Sequence, residues 1–421
     1  MYGRHQAATI REALRDTPAV LIAGGRQTGK TTLVRALGAG PVGTRYVTLD
    51  DVTVREAVSR DPEAFLASLD GPAILDEVQQ APQLFPALRR EIDRDRRPGR
   101  FLLTGSAHVL AAPEIARALV GRLEMITLWP LSQGEIEGVR EGFVDAVFRS
   151  ALPRMQTGEG RAALWKRVLR GGFPEAIGRR DARAAAWFDS YVDLLLMRDI
   201  RDLARIEGAT LLPRLVELLA ARAGSIPNLA ELSRSSGVPQ TTLKRYLALL
   251  EAVFLIARIP AWAANPTKRL VRSPKLIFTD SGLLAHLARI GADTVKQKPD
   301  AAGTLLECFV AAELLKQIGW SRDRVRLHHF RTSAGHEVDL VLEDERGRLV
   351  GIEVKSRTSV TRADLRGMDA LADAAGEAFH RGIVLYTGSE AVAFGPRLHA
   401  LPMDALWRMG AKAVRNPVPS K

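Results

Sequence analysis

The chain reads as an α/β protein: a phosphate-binding core on a parallel sheet, then a helical middle, then a second α/β unit. Three observations predict this. The apolar run Ala19–Ala23 breaks into glycine and continues as Gly24, Gly25, Arg26, Gln27, Thr28, Gly29, Lys30, Thr31 and Thr32, which meets GxxxxGK[ST] at every fixed position. Short apolar runs near residues 46, 73, 101 and 125 alternate with helical stretches, the order expected of a parallel sheet. In the last third, HEVDLVLE and LVGIEVKS read as neighbouring strands.

Bulk properties bound the answer. A length of 421 residues suggests two or three domains, and 46% hydrophobic with 26% charged residues is the balance of a soluble globular protein. One cysteine, Cys308, permits no intrachain disulfide and points to a reducing cytosol. The first residues lack the apolar core of a signal peptide, and the apolar stretch 246–262 is broken by Glu251 and Arg258, so no membrane segment is expected. The net charge of +12 is uneven: residues 1–140 carry 18 Lys and Arg against 17 Asp and Glu, residues 141–300 carry 25 against 16, and the remainder 17 against 15. A basic middle suggests an anionic partner such as nucleic acid.

Residues 6–16 show the spacing of an amphipathic helix ahead of the first strand. In the loop that follows, glycines let successive N–H groups point inward, Lys30 reaches the β- and γ-phosphates, and Thr31 binds magnesium. Residues 32–37 read as helix and 46–49 as the next strand. Residues 72–75 lead into Asp76 and Glu77, an apolar strand closed by two carboxylates. ATP hydrolysis needs such a pair, Asp76 for magnesium and Glu77 to orient and deprotonate water. The strand 101–103 closes on Thr104, Gly105 and Ser106, where Thr104 or Ser106 would sense the γ-phosphate. Helix to Leu119 and a strand over 125–128 complete the pattern. Arg122, with Arg117 as rival, would reach a neighbour's nucleotide if the protein forms a ring; surface exposure is the plainer reading of Arg122.

GGRQTGKTT, AILDEVQQAP, FLLTGSA and GRLEMITLWPLS together resemble the nucleotide-binding domain of prokaryotic AAA-type ATPases that carry a C-terminal DUF4143 region. The resemblance implies an AAA+ core, with Lys30 and Thr31 in the Walker A role, Asp76 and Glu77 in the Walker B role, Thr104 or Ser106 as sensor, and ATP with Mg2+ as cofactors. A homo-oligomeric ring is implied by analogy alone.

In the middle, residues 138–160 read as linker or lid and 182–204 as a long helix, while GGFPE and MRDI also fit the family pattern. Two short helices joined at Gly237 and Val238 form a helix-turn-helix pattern, and 253–259 begins a wing strand. Gln240, Thr241, Thr242, Lys244 and Arg245 suit phosphate and base-edge contacts, and Lys268, Arg269, Arg272 and Lys275 enlarge the basic surface. DNA is therefore the expected partner.

In the last third, 304–317 reads as a helix carrying Glu307 and Glu313. Glu353 and Lys355 share a strand face because side chains repeat every second residue. Asp339 and Glu353 would hold magnesium, Lys355 would activate water, and Glu307 would add an outer carboxylate, the set of a metal-dependent phosphodiesterase. TLLECFVAAEL, FRTSAGHEVDLVLE and GIEVKS resemble the DUF4143 region, which looks like a PD-(D/E)xK nuclease. The expected parts are 1–138 (ATP-binding), 139–300 (helical lid and winged helix), 301–410 (nuclease-like) and an unstructured tail, 411–421. The competing expectation is an ATP-driven switch whose last two parts hold a protein partner without cleavage.

Overall fold

The computed structural model describes residues 2–38, 44–106, 121–153, 159–200, 211–265, 267, 269 and 272–413. Arg117, the helix before Leu119, the end of the helix expected at 182–204, Lys268 and the tail from 414 lie outside the described residues. Strands β1 (Ala19–Ala23), β2 (Arg45–Thr48), β3 (Ala73–Asp76), β4 (Phe101–Gly105) and β5 (Leu123–Thr127) form one sheet in the order β2-β3-β4-β1-β5. All neighbouring pairs are parallel.

The inner strands β1, β3 and β4 are buried along their whole length because both faces of the sheet are covered there. Val20 and Ile22 join Ile74 and Leu102 against Ile10 of α1 (Gln6–Ala13) and Leu33 and Val34 of α2 (Lys30–Gly38). Ala19 and Leu21 join Leu75, Phe101 and Leu103 against Leu84, Leu88 and Ile92 of α3 (Leu84–Arg94). The loops after β1, β3 and β4 consequently meet at one carboxyl edge.

Beyond the sheet, α4 (Gln133–Glu137) is capped by Ser132 with Glu135 completing a capping box. Strand β6 (Val139–Arg140) follows, then α5 (Arg161–Arg170) and α6 (Asp181–Leu194), which continues as a π-helical turn over Leu195–Asp199. Helices α7 (Leu229–Ser236) and α8 (Gln240–Ala252) are joined through Gly237, whose φ of 72° favours glycine. Strands β7 (Ile256–Ile259) and β8 (Lys275–Phe278) then pair antiparallel.

The last part places α9 (Pro299–Ile318) and α10 (Arg366–Ala375) against a mixed sheet of β9 (Val325–Arg331), β10 (Glu337–Asp344), β11 (Leu349–Lys355), β12 (Phe379–Tyr386), β13 (Val392–Ala393) and β14 (Leu398–Pro402), ordered β13-β14-β12-β11-β10-β9. Strand β10 lies between β9 and β11 and is buried from Val338 to Leu342, so the alternation of HEVDLVLE gives no solvated face there. A bulge between Val338 and Val341 sends Leu340 and Leu342 into one core and Val338 and Val341 into another. The boundary expected at residue 300 falls inside a single core that includes Phe143, Phe188, Leu243, Ile277, Phe309, Ile352 and Trp407. Strand β15 (Lys412–Ala413) pairs with β6, so the start of the tail expected to be unstructured is a strand. Among the described residues no helix is long and apolar enough to cross a membrane.

Candidate nucleotide site and C-terminal carboxylate cluster

The turn after β1 is dictated by space and torsion. A Cβ at Gly24 would run into the Leu128 carbonyl oxygen, and Gly29 sits at φ +91°. Gln27 takes φ 61° without being glycine. Thr28 closes the loop through Oγ1, which donates to the Gly25 carbonyl at 2.9 Å. Lys30 is buried and donates to the carbonyls of Gly24 (3.0 Å) and Gly25 (2.9 Å), so the loop is wrapped around its own ammonium. Arg26 is half-buried, and Gln27 and Thr32 are exposed.

The other expected residues converge here. Thr31 Oγ1 donates to Asp76 Oδ1 at 3.3 Å, and Thr104 Oγ1 donates to the same oxygen. The Glu77 N–H donates to Thr104 Oγ1 at 2.9 Å, and Glu77 holds a left-handed backbone at φ 59°. A left-handed glutamate is strained, and such strain gathers at functional positions. Gln79 donates to the Glu77 carboxylate, and its own oxygen accepts from the Ser106 N–H at 3.2 Å. Among the described residues the Ser106 hydroxyl, buried at this edge, has no hydrogen-bond partner. An orphaned hydroxyl beside an ammonium and an Asp–Thr pair fits a triphosphate with magnesium.

Sequence reasoning missed Tyr46, Gln79 and Arg4. Tyr46 OH donates to Asp76 Oδ2 at 2.7 Å and accepts from Arg35 at 3.1 Å; burial raises its phenol above the usual range. Arg4 donates to the Thr28 carbonyl at 2.6 Å, the Trp129 carbonyl at 2.7 Å and Glu135 at 3.1 Å. Arg4 precedes the first helix, in a stretch that carries no motif. Arg122 lies at the opposite, amino-terminal end of β5, forked onto Asp93 of α3 at 2.7 and 2.9 Å. The fork lowers the Asp93 carboxyl and raises the guanidinium, and it stands roughly 16 Å along the strand from the chain's own phosphate loop.

Glu307, Asp339, Glu353 and Lys355 are also brought together. Register pairs Leu340 with Ile352, which sets Asp339 beside Glu353, and the Val354 N–H donates to Asp339 Oδ2 at 2.9 Å. Lys355 Nζ donates to Glu353 Oε1 at 2.7 Å. Lys275, expected on the basic surface, is instead 7% exposed and donates to Glu307 Oε1 at 2.7 Å and the Asp339 carbonyl at 3.3 Å. Burial, then the Asp339 charge, pushes Glu307 and Glu353 each up to about 8. Lys275 is raised by Glu307 and Asp339 against the lowering effect of burial, so it stays charged. Arg269 is half-buried and binds Glu343 at 2.8 and 3.0 Å. Among the described residues no group of three or more His, Cys, Asp or Glu is arranged to hold a metal. Magnesium is expected from the sequence on Asp339 and Glu353 with Glu307 as an outer carboxylate; Lys275 fills the space between Asp339 and Glu307, and Lys355 takes one oxygen of Glu353.

Residues 16–137 match the AAA domain family, 161–294 the domain of unknown function DUF8612, and 302–406 the domain of unknown function DUF4143. The uncharacterized proteins Rv2008c of Mycobacterium tuberculosis and Mb2031c of Mycobacterium bovis are each 34% identical over 410 residues, 97% of this chain and 85% of the relative. The chain belongs to their family. A Haemophilus influenzae uncharacterized protein is 26% identical over 259 residues, 59% of this chain and 58% of that protein. Among solved structures, a Walker-type ATPase of Pyrococcus abyssi aligns at 16% identity and TM-score 0.42, covering 69% of this chain and 96% of that one. A RuvB variant of Thermotoga maritima aligns at 20% and 0.27, covering 61% and 86%. The AAA match over 16–137 spans the loop 24–32 and the carboxylates after β3, and it supports ATP binding and hydrolysis in the first part. Lys275 belongs to the DUF8612 segment and its carboxylate partners to DUF4143, whereas Arg4 lies outside all three matches.

Proposed function

We propose that this protein binds ATP with magnesium in the loop 24–32, hydrolyses it through Glu77, and contacts duplex DNA through a winged helix in its middle segment. The convergence of Lys30, Thr31, Asp76, Glu77 and Thr104 at one sheet edge, beside the unpartnered Ser106 hydroxyl, carries the reading. On binding, Lys30 exchanges the Gly24 and Gly25 carbonyls for β- and γ-phosphate oxygens, while the loop N–H groups take the remaining phosphate charge. Thr31 and Asp76 would hold magnesium, which would supply charge neutralisation to the phosphates. Thr104 keeps Asp76 and the Glu77 backbone in register, and Ser106 donates to the γ-phosphate. Gln79 releases the Glu77 carboxylate, which orients and deprotonates the attacking water.

Calorimetry and phosphate release test this. Lys30→Ala should lose ATP binding. Glu77→Gln should bind ATP as the parent chain does and hydrolyse it roughly 10²- to 10³-fold more slowly. A Glu77→Gln protein of undiminished rate, or a parent chain indifferent to ATP with magnesium, overturns the proposal.

The α7–Gly237–α8 turn and the β7–β8 pair support the winged helix. Exposed Gln240, Thr241, Lys244 and Arg245 on α8 support the DNA reading. No cleavage step is assigned to Lys355 and the C-terminal carboxylates.

A further inference from the structure

We propose that Lys275 is the resident cation of the C-terminal carboxylate cluster, standing where a divalent ion bridging Glu307 and Asp339 would sit and excluding it. The proposal is independent of the phosphate-loop reading. Asp339 followed by Glu353-x-Lys355 leads one to expect a metal, with Lys355 as the cluster's own lysine. The fold adds a second lysine from another segment. Lys275 heads β8, paired with Ile259, and its Nζ lies 2.7 Å from Glu307 Oε1, 3.3 Å from the Asp339 carbonyl and 3.9 Å from Asp339 Oδ1.

Magnesium or manganese bound to those oxygens at roughly 2.1 Å would lie almost in contact with that ammonium. The two cations cannot share the space. A surface lysine would swing into water to make room, but Lys275 is 7% exposed and its strand is buried along its whole length. A buried ammonium without carboxylate partners is costly, so lysine and carboxylates hold one another in place.

A further observation shows acceptor capacity that the two lysines leave unused. Glu353 is 8% exposed, and among the described residues its buried Oε2 has no hydrogen-bond partner, while Oε1 is taken by Lys355. The acceptor capacity of three carboxylates therefore exceeds what the two lysines use.

The test titrates full-length, nucleotide-free protein with Mn2+, following free Mn2+ by electron paramagnetic resonance. Every variant carries Asp76→Asn so that the phosphate-loop site does not contribute. With Lys275 intact, no Asp339-dependent site should appear up to about 1 mM Mn2+. Lys275→Met should gain one site at least roughly thirtyfold tighter than any in its parent, lost again on adding Asp339→Asn. Lys275→Gln, which keeps a hydrogen-bond donor, serves where the methionine disrupts folding. A Lys275→Met protein that melts in EDTA and regains its folded state with Mn2+ also supports the proposal, because metal then replaces lysine. An Asp339-dependent Mn2+ site in the chain with Lys275 intact overturns it, as does a folded Lys275 variant that gains none.

Discussion

Asp76 is held by three hydroxyls, Thr31 and Thr104 on Oδ1 and Tyr46 on Oδ2. Tyr46 fixes the plane of the carboxylate proposed to hold magnesium. Losing one hydrogen bond of ~1 kcal/mol, Tyr46→Phe should raise the magnesium concentration for half-maximal ATPase by about three- to tenfold. An unchanged magnesium curve would reduce Tyr46 to packing. Lys30 and Asp76 are legible in the sequence because their spacing is local to a strand and the turn that follows it. Tyr46 is not, since only the parallel register of β2 on β3, with Tyr46 opposite Ile74, brings its hydroxyl to Asp76. His329 gives a second residue-scale expectation. It is buried with Nε2 3.2 Å from the Ser273 carbonyl, and burial, then the Lys275 charge, lowers it to about 4. The unfolded chain takes up this proton near pH 6.5 and the folded chain only near 4, so stability is full above 6.5 and is lost as pH falls toward 4. The loss is at most about 3 kcal/mol. His329→Gln should flatten the denaturation midpoint between those pH values, and an unaltered slope would show that another group titrates.

At the level of elements, α8 presents Gln240, Thr241, Lys244 and Arg245 to solvent while Leu243, Tyr246, Leu247 and Leu250 are buried. That division follows from 3.6-residue periodicity and was readable in advance. The basic residues beyond the helix were not. Arg269 and Lys275 point inward to Glu343 and Glu307, which leaves a smaller positive surface than their sequence positions imply. Lys244→Ala with Arg245→Ala should therefore weaken duplex binding and lower the slope of log affinity against log salt by about 2, read by fluorescence anisotropy. Binding that shows no salt slope would turn the reading toward a protein partner.

For the whole molecule, a buried polar route joins the phosphate loop to α9. Arg4 holds the Thr28 carbonyl and Glu135; Glu135 Oε2 accepts from the Ser132 N–H at 3.1 Å. The next residue's N–H, that of Gln133, donates to Glu313 Oε2 at 2.9 Å, and Lys316 ties Glu313 at 2.6 Å to the Leu131 carbonyl at 3.0 Å. Such a route carries coupling only if its state changes with ligand. A non-hydrolysable ATP analogue should slow amide exchange over 313–318, and Arg4→Ala should remove that response while leaving a folded chain. Equal protection in both proteins would break the connection.

The sequence by itself determined the phosphate loop, the carboxylates that close β3, the parallel sheet and the Glu353–Lys355 pair, because each follows from short-range periodicity or from residues adjacent along one strand. Tertiary structure alone decided that Lys275 rather than solvent faces Glu307, that Arg4 grips the loop, and that middle and C-terminal segments share one core. Arg4 and Thr28 are 24 positions apart and Lys275 and Glu307 are 32 apart, and no local pattern encodes such contacts, since burial and register exist only once the chain has closed on itself.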